Sequence, residues 1–478
     1  MQFNSMTFWV FFLLCFVAYY GCPARWRWTV LLVASYYFYG CWSGYYAALL
    51  MISTGVDFGV GLALEKSRGK GARLGLLLLS LGCNLGLLCW FKYFNFLSGS
   101  VQALVDALGG TARLPIMTAL LPVGISFYSF KTLSYVFEVY RGTRPAERHL
   151  GHYAAYVAFF PQILMGPIAR AAHMLPQFER AHQLNYEDIA CGLRLILLGM
   201  FKKLVVADRL GIYVDSVYNN VHFHAESTTF LLATYFFAFQ IYCDFSGYSD
   251  VAIGISRLLG FDVLANFRTP YFSTSVGEFW RRWHISLSTW FRDYLYIPLG
   301  GSRVVLGWRC ANVLIVFLVS GLWHGANWTF VAWGGLHGLY LAVSVLRAEY
   351  VERYPLLRGW PAPGKLRDAL RIFVTFQLTS FAWIFFRANS LSDALYAIRT
   401  ACTGHLGMPY LGNTSHFVYG TAGVGLLLIF DAWVRESDPA ERVGTLSTPL
   451  RWGLYLGAAA IILLIGVFDG GQFIYQQF

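Results

Sequence analysis

LGLLLLSLGCNLGLL, residues 74–88, decides the fold. The run carries no charge and is interrupted only by Ser80 and Asn84. A transmembrane β-strand must alternate between a lipid face and a lumen face, and this run is too continuously apolar for that. Extended to residue 94 it reaches the roughly 20 residues that carry a helix across a hydrocarbon core.

Working outward, the rest of the chain has the same character. Of 478 residues, 57% are hydrophobic and 13% charged, and the mean hydropathy is +0.51. Soluble domains carry roughly 25% charged residues, so a soluble globule is excluded. The pattern predicts an all-α, polytopic membrane helix bundle. Candidate spans are 6–22, 28–44, 46–64, 74–94, 115–138, 151–168, 187–207, 228–243, 247–260, 311–323, 328–347, 369–387, 416–434 and 452–469. Several are short, so about 11–13 true segments are expected, some of them re-entrant or interfacial. Pro161 and Pro167 predict a break in FPQILMGPIAR (160–170), and Gly247 a bend between 228–243 and 247–260. The longest late polar stretch, Arg353–Arg371, is too short for a soluble domain. The expectation is one membrane domain over 1–478.

The net charge of +11 reads as topology rather than as a nucleic-acid surface. Arg25 and Arg27, then Lys66, Arg68, Lys70 and Arg73, then Arg141, Arg144 and Arg148 mark alternate loops, with the nearly uncharged Cys41–Tyr46 and 95–114 between them. That alternation follows the positive-inside rule and places the basic loops in the cytoplasm. Phe8–Tyr20 lacks a preceding positive charge and reads as a retained first span. Nine cysteines are scattered, without CxxC or a His/Cys cluster at ligand spacing, so no metal site is expected. No GxxxxGK[ST] or strand-linked GxGxxG is present, and no cofactor is expected to be bound.

Two histidines stand out. His324 lies in GLWHGANW (321–328), directly after an apolar run, and His284 lies in FWRRWHISLSTWFRDYLYIPLGG (279–301). A titratable ring at membrane depth is costly and points to function. A neutral imidazole can take a proton from an attacking hydroxyl. Asn327 is placed to orient a ring or hold a carbonyl, although the spacing leaves open whether the two rings meet. Phe279, Trp283, Leu287, Trp290 and Tyr294 recur at helical spacing, predicting one amphipathic helix at the cytoplasmic interface that ends at Pro298 and Gly300-Gly301. Its basic residues, Arg281, Arg282 and Arg292 among them, suit either lipid headgroups or the phosphates of a carrier. In YCDFSGYSD (242–250), Asp244 and Asp250 either line a water-filled path or pair with arginines, with Asp244 a candidate substrate- or carrier-binding residue, or else the polar groups satisfy a helix break. Lys202 and Lys203 are expected to snorkel to an interface, Lys131 is left open, and His337 is expected to pack.

Five blocks carry a resemblance. They are GISFYSFKTLSYVFEVYRG (124–142), FFPQILMGPIAR (159–170), YCDFSGYSDVAIGISRLLGF (242–261), NFRTPYFSTSVGEFWRRWHISLSTWFRDYLYIPLGG (266–301) and GLWHGANWTFVAWGGLHG (321–338). Together they resemble the membrane-bound O-acyltransferases, in their bacterial polysaccharide-acylating branch. The resemblance implies a helix bundle around a central tunnel, His324 as the catalytic residue and His284 as a second functional residue. It also implies an acyl group taken from a cytoplasmic thioester (acetyl-CoA or an acyl carrier) and passed towards an extracytoplasmic polysaccharide. An exported acetyltransferase partner protein would complete delivery, and the setting would be the bacterial inner membrane. Within the branch, Ala-Asn-Trp after Gly325 and Pro-Leu-Gly-Gly at 298–301 are most similar to alginate-acetylating members. Peptidoglycan-acetylating and teichoic-acid D-alanylating members stand as alternatives. A transporter would show two related halves, and none is found; a scaffold would not depend on His324.

Overall fold

The computed structural model describes residues 1–118, 121–353 and 364–468. Residues 119–120 of the 115–138 candidate, residues 354–363 of the late polar stretch and residue 469 lie outside them. The chain is a polytopic all-α membrane protein. Its only β pairing among the described residues is an isolated bridge between Glu226 and His405. Among the described residues, seven helices are long and apolar enough to cross a membrane: Gly44–Lys66, Lys70–Ala107, Leu306–His324, Trp328–Tyr350, Gly364–Arg387, Thr414–Val434 and Thr448–Ile465, with Met6–Gly21 a shorter apolar helix.

The chain divides into two compact units, Met1–Ala190 with Ile255–Leu264, and Cys191–Gly254 with Ala265–Phe478. In the first, Ile125–Arg141 is buried along most of its length although it carries Ser126, Ser129, Lys131, Thr132 and Glu138. Polar groups out of water call for partners, and Lys131, Thr132 and Glu138 have them, Thr132 Oγ1 donating to Asn84 Oδ1 at 3.1 Å and Glu138 Oε2 accepting from Ala172 N at 3.0 Å. Lys131 Nζ donates to Tyr156 O at 2.6 Å and Gln162 Oε1 at 3.2 Å, so this lysine clamps the segment after Leu150–Ala158. Buried Asp57 accepts from Ser80 Oγ at 2.6 Å and Asn84 Nδ2 at 2.8 Å. Ser80 and Asn84, the two interruptions in the opening run, are thus its polar contacts to a neighbouring helix. The helix starts at Gly124, at φ 77°, where a Cβ would lie 2.4 Å from Ile163 O. Only glycine fits that approach.

The predicted break holds: Leu150–Ala158 ends and the chain runs without regular helix to Ala171. The predicted outside loop at 95–114 does not. The 74–94 helix continues through a wide turn at Cys89–Tyr93 into Phe94–Ala107. No proline falls between Cys89 and Ala107 to end the helix.

In the second unit the expected bend at Gly247 is absent. Ser227–Leu258 is one helix of 32 residues. Gly247 is instead a contact point, where an added Cβ would sit 2.8 Å from Gly199 O. Leu306–His324 and Trp328–Arg353 form a tight hairpin. A Cβ on Gly321 would lie 2.3 Å from Phe330 O, and one on Gly334 would lie 2.2 Å from Phe317 O. The two backbones touch because small residues face each other, as membrane helix pairs allow. That closeness sets His324, at the end of the first helix, beside Trp333 on the second.

Candidate active site

His324 is the last residue of Leu306–His324, just before Gly325 leaves helical geometry. Its ring is 3% exposed and enclosed by aromatics: Trp323 and Trp333 each at 4.9 Å between centroids, and Phe386 at 5.5 Å. These contacts are edge-on, so they fix the ring's plane while leaving its chemistry to the nitrogen atoms.

His284 reaches the same place from a different segment. The continuous amphipathic helix expected here is two short ones, Val276–Arg282 and Ile285–Phe291, followed by a wide turn at Arg292–Tyr296. The break is His284 itself, at φ 43° and ψ 54°. A side-chain-bearing residue in this left-handed region costs roughly 1–2 kcal/mol, and such strain collects where geometry serves function. The apolar stripe also faces protein rather than lipid. Phe279, Trp283 and Leu287 are fully buried, with Trp283 5.1 Å from Trp383 and Trp280 5.7 Å from Trp333.

Asn266 holds the break. Its Oδ1 accepts from Ser286 N at 3.1 Å and Ser286 Oγ at 2.9 Å, and stands 3.2 Å from His284 Nδ1. Its backbone carbonyl accepts from Ile285 N at 2.9 Å, and its Nδ2 donates to Ser249 Oγ at 3.3 Å. Because the backbone N–H of Ser286 fixes Oδ1 as an acceptor, His284 Nδ1 must donate to it. In the neutral ring this leaves Nε2 as the basic nitrogen. Burial pushes the His284 imidazole down to about 3, so the neutral form prevails at working pH. Phe245 meets this ring edge-on at 4.6 Å. Asn266 opens the block 266–301, and no local pattern in the sequence singles it out.

The centroids of His284 and His324 are 6.5 Å apart. The rings therefore meet as neighbours, inclined at 61° to one another.

Beside the two histidines lies a charged cluster. Lys203 Nζ is 2.6 Å from Asp244 Oδ1 and 2.8 Å from Asp208 Oδ1, and Lys202 Nζ is 2.7 Å from Asp250 Oδ2. Tyr242 donates to Asp431 Oδ2 at 2.9 Å. Lys202 and Lys203 are buried and do not snorkel, because carboxylates of the same unit meet them inside. Asp244 is a structural counter-ion in this arrangement.

The remaining residues fall elsewhere. Asn327 caps the next helix, its Oδ1 accepting from Thr329 N at 3.1 Å, and donates to Asn389 O at 3.3 Å. Arg282 is paired with Glu278 at 2.9 Å and Glu436 at 2.7 Å. Arg281 and Arg292 are exposed, Arg292 lying 2.8 Å from Asp293. His337 is fully buried and accepts at Nδ1 from Trp280 Nε1 at 3.2 Å. Glu147, His152 and Glu179 bring one ligand atom each within 4.8 Å of one another. Glu147 is already engaged by Arg144 at 3.5 Å and by the N–H groups of Arg148 and His149, so this group reads as a loop clamp. A cavity of about 890 Å³ in the first unit is lined by polar residues including His173, Gln177, Arg180 and His182.

Comparison with known proteins completes the assignment. The profile of the membrane-bound O-acyltransferase family (MBOAT) matches residues 144–385, a span that contains both histidines and Asn266. The chain is 40% identical over 402 residues to a protein named probable alginate O-acetylase AlgI of Azotobacter vinelandii, covering 82% of this chain and 76% of that one. It is 34% identical to the peptidoglycan O-acetyltransferase of Helicobacter pylori (77% and 72% covered). It is 27% identical to the teichoic acid D-alanyltransferase of Bacillus subtilis (55% and 68% covered). The chain belongs to the membrane-bound O-acyltransferase family and is an O-acyltransferase of the membrane.

Proposed function

We propose that this enzyme takes an acetyl group from acetyl-CoA on the cytoplasmic side of a bacterial inner membrane and feeds the O-acetylation of an exported, alginate-like polysaccharide. The observation that carries the reading is the pair of buried imidazoles, one fixed as a neutral base by Asn266. His324 acts as general base on the accepting hydroxyl, a role worth about 10²–10⁴-fold. His284 offers its basic Nε2 to the same proton or holds the thioester in register. The exposed Arg281 and Arg292 draw the carrier's phosphates to the cytoplasmic end. His324 is almost covered, so a protein-lined passage must open to it, and Phe386 and Trp323 are the side chains that must yield. Such a passage joins two compartments without moving a charged carrier through lipid. An exported acetyltransferase partner takes the group onward.

The similarity to the alginate O-acetylases favours a polysaccharide acceptor, and the peptidoglycan relative keeps a second glycan acceptor in view. The D-alanyl transfer relative matches less of the chain. Membranes containing the protein are supplied with radiolabelled acetyl-CoA. Loss of label from CoA and its appearance in the polymer or the exported partner is the expected result. Consumption of a carrier-protein thioester alone would contradict the donor assignment.

A further inference from the structure

The second unit holds a groove that acyl transfer does not use. A cavity of about 530 Å³ lies between Tyr186–Met200, Thr414–Val434, Pro439–Gly444 and Thr448–Ile465. Its wall from 426 to 461 lies beyond the span matched by the family profile. Every lining residue except Arg194 and Tyr455 is apolar. The outer helix, Thr448–Ile465, has little protein cover: 6% of its apolar window is buried, against 22–39% for the other six spans. Gly453 and Gly457, four residues apart and so on one face, both line the groove. A Cβ at either would meet nothing within 4 Å. In a bilayer the filler of such a notch is a lipid tail.

One end is built differently. Arg194 donates from Nε to Tyr455 OH at 2.7 Å and from Nη1 to Ala440 O at 3.2 Å, which turns its guanidinium towards the 439–444 helix. Arg451 donates to Gly444 O at 3.2 Å, and Arg442 lies 5.4 Å over the Trp433 ring. Nearby, Asp438 is spent capping Ala440 and Glu441, leaving exposed Glu441 as the local acid. Arginine forks suit phosphate, and aromatic residues with basic neighbours mark headgroup depth.

We propose that this groove binds an anionic phospholipid, one acyl chain lying along Gly453 and Gly457 and the phosphate held by Arg194 with Arg451. The full-length protein, purified in mild detergent, is incubated with phosphatidylglycerol or phosphatidylcholine, and bound lipid is read by native mass spectrometry alongside thermal melting. Retention of phosphatidylglycerol over phosphatidylcholine is expected. Gly457→Leu fills the groove and should abolish retention of both lipids while the lipid-free melting temperature holds. Arg194→Gln should keep the chain but weaken the preference for phosphatidylglycerol about fivefold, one basic residue's share. Unchanged retention in Gly457→Leu, or equal binding of the two lipids, overturns the proposal. So does a matching stabilisation by inorganic phosphate alone, which would mean a bare anion site.

Discussion

Asp244 and Phe245 are neighbours on one helix and serve two opposite environments. Asp244 enters a buried ionic cluster with Lys203, 2.6 Å away. Phe245 meets the ring of His284 at 4.6 Å. One region neutralises charge by pairing formal ions. The other gathers two imidazoles within a shell of indoles and phenyl rings. Low dielectric drives both: buried ions are tolerated only with counter-ions, while burial holds the His284 imidazole in its neutral form. On the proposed function, the first region builds the fold and the second carries the chemistry.

That contrast can be broken by substitution. The largest expected effect is His324→Ala, which should lower acyl transfer about 10²–10⁴-fold while melting temperature and membrane level hold. A parallel loss of folded protein would move His324 into the structural class. Next, Lys203→Met strands Asp208 and Asp244 and should destabilise by about 3–5 kcal/mol, with activity per folded molecule retained. Measured by thermal unfolding and titrated specific activity, the opposite outcome would place the cluster in the reaction. Asn266→Ala removes the acceptor shared by Ser286 and His284. It should lower activity about 10–100-fold, as when the partner orienting a functional imidazole is lost, and destabilise by about 1–3 kcal/mol for each donor left bare. Full activity in this variant would show that the His284 geometry is not needed. The smallest effect belongs to Arg281→Gln and Arg292→Gln. Each should raise KM for the acyl donor by less than about fivefold at unchanged kcat, as exposed charges do, and the change should shrink with added salt.

The sequence made the membrane class and the two histidines legible for one reason: each is a departure from, or a persistence of, apolar composition along a short window. Contacts across long separations were not legible. Lys202 and Lys203 look like interface residues because two of their carboxylates, Asp244 and Asp250, lie 41 and 48 positions away, beyond any local pattern. The break at His284 left no trace, since helical spacing of Phe279 through Tyr294 survives a single residue turning left-handed. Gly247 invited a bend, but what matters there is Gly199 on a neighbouring helix. Asn266 sits 18 positions before the ring it orients, in a segment without regular structure. Asn327, three positions after His324 in sequence, caps the following helix, whereas the distant Asn266 supplies the hydrogen-bond partner of His284.

The central claim is that His284 and His324 act as one unit, and a double-mutant cycle on the acyl-transfer rate tests it most directly. If they share one proton path, His284→Ala/His324→Ala should be no slower than His324→Ala alone, as residues acting together show. Losses that multiply across the two positions would mean two independent roles and would contradict the account.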